Sequence, residues 1–185
     1  MSYFSDPKIR FYLRHQEKID QWAEIQRDVY LETKSFLGSL VDDIETMATD
    51  LDRAVTVLDR SDTSNLILLH DPTWGLVAPG RPVISIGLGW NSKPLLRDRS
   101  RPYSGVRQSH GAPNWEDLQK RFQQIALEAG HSLPKDDKHW PAYRYLAADD
   151  AQYWEGEGLD AYRAKVVNAL SDDWATYAPM IDQAL

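Results

Sequence analysis

The sequence predicts a single α+β domain: a long amino-terminal helix or helix pair, then a small antiparallel or mixed sheet of about four strands with carboxy-terminal helices packed on it. Three observations predict it. Apolar residues recur at helical spacing from Ile19 to Leu51. Short apolar runs bounded by turn residues follow between 66 and 109, and helical periodicity returns after Asn114 and again after Leu159. This order lacks the regular strand–helix alternation of a doubly wound parallel sheet. With 185 residues, 42% of them hydrophobic, the chain is long enough to bury one core. No repeat, low-complexity tract or linker divides it, so residues 1–58 read as a helical segment and 66–185 as the α+β portion of one domain.

The elements follow in order. Ser5 or Asp6 is placed to cap a helix whose first position is Pro7, where the missing N–H costs nothing. The stripe through Trp22, Ile25, Val29, Phe36 and Leu40 predicts a helix from about Gln16 to Leu51, bent at Gly38 or partly covered by a partner, because an unbroken one would run roughly 54 Å. The polar joint at 60–65 precedes a strand over Leu66–His70, and Asp71 to Gly75 supply a turn. Strands are expected at Pro82–Trp90 and Tyr103–Ser109, joined by a connection longer than a tight hairpin needs. A helix capped by Asn114 and stopped by Gly130 comes next. The segment His139–Ala147 reads as an edge strand because Pro141 cannot donate to a ladder. Two closing helices are expected, the first from Leu159 to Leu170, the second capped by Ser171 and kinked at Pro179.

Composition removes several function classes. The chain has no cysteine, which excludes disulfides, thiolate nucleophiles and the usual structural zinc sites. No apolar stretch approaches bilayer length, and the opening residues lack the apolar centre of a secretory signal, so a soluble, cytoplasmic protein without membrane contact is expected. The net charge of −7 argues against wholesale wrapping by nucleic acid. Charge is uneven, however. Residues 81–107 hold Arg81, Lys93, Arg97, Arg99, Arg101 and Arg107 against Asp98 alone, a local balance of +5 that leaves −12 elsewhere. Flanked by Trp90 and Tyr103, this stretch is the candidate site for an anionic partner, either nucleic acid or an acidic protein surface, since arginine binds oxyanions bidentately. A solvated loop that keeps the chain soluble is the plain alternative.

Other patterns carry less. Restriction-type nucleases need an acidic residue and an Asp/Glu-x-Lys set on neighbouring strands. Glu32-Thr33-Lys34 falls in the long helix and Asp136-Asp137-Lys138 in a polar turn, so neither has that context. Among His15, His70, His110, His131 and His139 no pair has helical i, i+4 spacing. The group His131, Asp136, Asp137 and His139 has donors for a divalent ion but reads equally as a solvated loop. His70-Asp71 lacks a partnered nucleophile. Gly87-Leu88-Gly89 is followed by no helix, so it is not a dinucleotide loop and reads as a bulge or as close packing beneath Trp90. The seven tryptophans are read mainly as core residues, with Trp74 in its turn the one to watch. No catalytic residue, metal ligand or cofactor is assigned.

A strand pair ending in YSGVRQ, the helix WEDLQKRFQQIALEAGHSL and the Trp-bearing strand HWPAYRYL leading to a helical tail lie between Leu66 and Leu185. That stretch resembles an uncharacterised α+β domain fused to restriction-endonuclease-like nucleases in bacterial defence loci. The resemblance implies an accessory or recognition role and brings no catalytic residues. The expectation is therefore a non-enzymatic binding or regulatory protein that meets an anionic partner through 91–107 and associates through its amino-terminal helix. A metal-dependent nuclease or hydrolase using 131–139, and a structural subunit of a larger assembly, stand as the alternatives.

Overall fold

The structure, a computed structural model, describes residues 6–94, 101–109, 115–128, 139–146 and 158–185. Helix α1 spans Pro7–Gly38, started by Asp6, whose carboxylate accepts from the Lys8 backbone N–H at 2.8 Å. It begins nine residues earlier than the apolar stripe suggests, because the cap and Pro7 fix the start before any apolar face is needed. It ends at Gly38, beside Ser61, and the Ser39 hydroxyl donates to the Phe36 carbonyl. Helix α2, Val41–Thr49, then folds in to bury Ile44 and Ala48. The expected helix to Leu51 is thus a pair.

Strand β1, Thr56–Arg60, was not expected, since its residues TVLDR alternate only weakly; it owes its form to pairing with the apolar β2, Leu66–His70. The joint between them is a single helical turn, α3, Ser61–Ser64, closed by Asn65 at φ 54°. A 3-10 turn at Pro72–Trp74 follows, capped by Asp71. Next come the short β3, Leu76–Ala78, and β4, Arg81–Pro82, which pair as a separate ribbon where one longer strand from Pro82 was expected. Strands β5, Ile84–Gly89, and β6, Tyr103–Gln108, precede α4, Trp115–Glu128; the proposed cap Asn114 and stop Gly130 lie outside the described residues. Strand β7, Ala142–Tyr145, occupies the sheet edge that Pro141 favours.

The main sheet has five antiparallel strands in the order β1-β2-β5-β6-β7. A single helix, α5, Gly158–Ala184, replaces the two closing helices expected, and Pro179 lies inside it. Ser171 does not cap a new helix: it lies inside α5, which runs unbroken through 171–173, where Asp173 points inward to Arg144 of β7. Alternation along the strands sorts the faces. Ile67, Leu69, Ile84, Ile86, Leu88 and Val106 meet α2, α4 and α5 in one core with Phe122, Tyr162 and Tyr177. Each of those three rings contributes about 2–3 kcal/mol by burial. On the opposite face Leu66, Leu68 and Trp140 form a smaller cluster with Tyr103 and Tyr143 packed on it.

Candidate partner-binding face

That second face is floored by glycine. Gly87 and Gly105 are partners across β5 and β6, and Gly89 pairs with Tyr103. A Cβ on Gly89 would lie 2.7 Å from the Tyr103 ring and 3.0 Å from Trp140, so the glycine leaves room for these two rings, which meet edge to face with centroids 4.9 Å apart. The expected place beneath Trp90 is therefore corrected: Trp90 itself is 3% exposed and belongs to the helix-covered core. Tyr103, Tyr143 and Tyr145 gather along β6 and β7, with ring centroids 5.4 Å apart for Tyr103–Tyr143 and 5.3 Å for Tyr143–Tyr145. The Tyr143 and Tyr145 hydroxyls are 3.3 Å apart. Tyr145 remains 38% exposed, and the Arg101 guanidinium lies 4.4 Å over its ring.

The sequence-based site residues are thus partly brought together. Arg101 and Tyr103 converge on this face; Lys93 is exposed. Arg107 lies on β6, level with Ser85, and by alternation shares the face of Tyr103 and Gly105. Arg97 and Arg99 lie outside the described residues, as do His131, Asp136 and Asp137 of the proposed metal group, while His139 is exposed. Among the described residues neither Lys93 nor Arg101 forms an ion pair with a carboxylate, and no three His, Asp or Glu side chains stand close enough to hold a metal ion. Tyr143 and Tyr145 were missed as site residues because Ala-Tyr-Arg-Tyr reads as strand alternation. The signal was present: two tyrosines two residues apart on an edge strand must share a face.

Two partly buried polar clusters link the sheet to α5 and account for other candidates. Asp71 accepts from the backbone and hydroxyl of Thr73 at 2.8 and 2.6 Å and from Arg53 at 3.0 Å. Burial pushes its carboxyl up, but those bonds outweigh it and hold it below the ordinary value. Arg53 also grips Asp182 of α5, which accepts from Trp74 Nε1 at 2.8 Å. Trp74, stacked on Trp174 with centroids 5.1 Å apart, is therefore a core residue, and Asp71 is spent on the turn and the clamp. His70 is buried, which lowers its pKa. On the helix side of β7, Arg144 lies 3.0 Å from Asp173 and donates to the Ala169 carbonyl at 2.6 Å. Burial nonetheless pushes Asp173 up to about 6, against the pull of Ser104 and Arg144. Tyr177 is raised by burial and by the Asp173 charge.

No helix among the described residues is long and apolar enough to cross a membrane. No family model, curated protein or solved structure matches the chain.

Proposed function

We propose that the protein is a non-enzymatic binding protein whose partner is a single-stranded nucleic acid, held on the tyrosine face of the sheet. The observation that carries this reading is the Arg101 guanidinium over Tyr145, beside Tyr103 and Tyr143. Aromatic rings accept any base by stacking, at about 1–3 kcal/mol per base, while arginine and lysine meet the phosphates. An acidic protein surface would use the cations but gain little from three adjacent rings, so the nucleic acid is favoured. The accessory, defence-associated setting implied by the resemblance of 66–185 fits such a role.

Fluorescence anisotropy with a labelled pyrimidine oligonucleotide tests the reading. Tyr145→Ala and Arg101→Glu are each expected to weaken binding about 10-fold, and the affinity of the unaltered protein should fall as salt rises. Absence of binding at low salt, or variants that bind as well as the parent, would remove the face from consideration.

A further inference from the structure

Helix α1 has a solvent-facing side that continues the side by which it is anchored. At 100° per residue, Phe11, His15, Ile19, Trp22, Ile25 and Val29 lie within roughly 60° of one line, and the same line runs on through Thr33 and Leu37. The last two are buried against the domain. Of the first six, His15 and Ile19 are half-buried and Phe11 rests on His15 with ring centroids 4.6 Å apart, but Phe11 is still 61% exposed, Trp22 71% and Ile25 54%, and Val29 is exposed as well. Isolated helices gain little from propensity alone in water, and their stability in proteins comes from a packed apolar face. This face therefore calls for an occupant.

Charge identifies that occupant. Arg10, Arg14 and Lys18 are spaced by four, and so are Glu24, Asp28 and Glu32. On the helical wheel both rows lie to the same side of the apolar line and run obliquely toward it, from Arg10 to Lys18 at its margin in the first half of the helix, where Glu17 is the one acidic residue on that side, and from Glu24 at the back to Glu32 in the second. In an antiparallel helix pair, equivalent flanks meet, with the first half of one helix beside the second half of the other. In a parallel pair opposite flanks meet at the same height, and the rows do not face each other. We propose that α1 pairs with α1 of a second copy of this chain, antiparallel, in a two-fold dimer. With Arg14 beside Asp28 of the second copy, the heptad spacing of His15, Trp22 and Val29 sets Phe11 across from Val29 and His15 across from Ile25. Both rows are then used twice, once on each side of the axis. A groove of about 580 Å³ lined by Ile25, Val29, Phe36 and Leu159 opens where the second copy's Phe11 arrives. The pairing is independent of the tyrosine face, and Tyr145→Ala leaves it unchanged.

The test has two arms. In sedimentation equilibrium the protein is a dimer at about 100 µM, a concentration at which even a weak specific pair is populated. The triple variants R10E/R14E/K18E and E24K/D28K/E32K each weaken the dimer at least about 10-fold, and an equimolar mixture of the two restores it, because every flank is then opposed by its complement. Direction is read by oxidative cross-linking, for which the chain offers a background of 0 cysteines. Tyr12→Cys and Gln26→Cys lie on the other flank at matching heights of an antiparallel pair, so each alone stays uncrosslinked and the mixture forms a disulfide. A monomer at that concentration, triple variants that dimerise normally, or Tyr12→Cys that cross-links with itself would overturn the proposal.

Discussion

Replacing Asp173 by asparagine should stabilise the protein at neutral pH. The carboxyl is 1% exposed and its pKa is about 6, against 3.8 for an ordinary aspartate, so burial of the charge outweighs the Arg144 ion pair. A folded pKa above the unfolded one favours the protonated form. The neutral carboxyl therefore costs nothing below pH 3.8, and stability is lost as pH rises toward and through about 6. A difference of about two units corresponds to about 3 kcal/mol, fully expressed at pH 7.5. Asparagine keeps the shape without the charge. It should be nearly neutral at pH 4 and raise the thermal midpoint by about 6–12 °C at pH 7.5, given about 2–4 °C per kcal/mol for a chain of this size. His70 acts with the opposite sign, since its lowered pKa gives stability that is present above 6.5 and lost on acidification, but it acts in parent and variant alike and cancels from their difference. Paired melts from pH 4 to 8 provide the assay. An Asp173→Asn protein less stable than the parent at pH 7.5 would mean that the Arg144 pair outweighs desolvation, and the reasoning would fail.

Arg53→Ala removes the shared cation of Asp71 and Asp182 and leaves Asp71 buried with only Thr73; a loss of about 2 kcal/mol in urea unfolding at pH 7 is expected. Both carboxyls are held below their ordinary values, so their contribution is present above pH 3.8 and fades as the solution is acidified through the folded values; the variant should show a shallower acid limb. An unchanged urea midpoint would refute the clamp. Gly105→Ala drives a Cβ into the Ala142 carbonyl oxygen at φ +154°, and should cost more than about 3 kcal/mol by separating β6 from β7. A variant that melts with the parent would contradict that register.

What was legible in the sequence follows from how locally each element is determined. The start at Asp6-Pro7, the run Leu66–His70 and the helix after Trp115 carry their own cap or period, and all three are present. Strand β1 has no such mark, because Thr56–Arg60 becomes a strand only through β2. The continuity of α5 has no local mark, because Ser171 and Pro179 both read as breaks, while the face that α5 buries against the sheet, including Asp173 beside Arg144, comes from other elements. The candidate face divided in the same way. Arg101 and Tyr103 stood out through charge and position, whereas the tyrosines of β7 acquire meaning only when β6 and β7 lie side by side. Burial moved Trp90 the other way, from flank to core.

The clamp at Arg53 has a temporal side. Its partner Asp182 lies 129 residues further along the chain. At translation rates of about 5–20 residues per second, Arg53 waits on the order of ten seconds for that carboxylate to be synthesised. Throughout that interval the apolar inner surfaces of β2 and β5 have no α5 to cover them. A nascent chain halted short of Asp182 should consequently bind chaperones that the finished protein ignores.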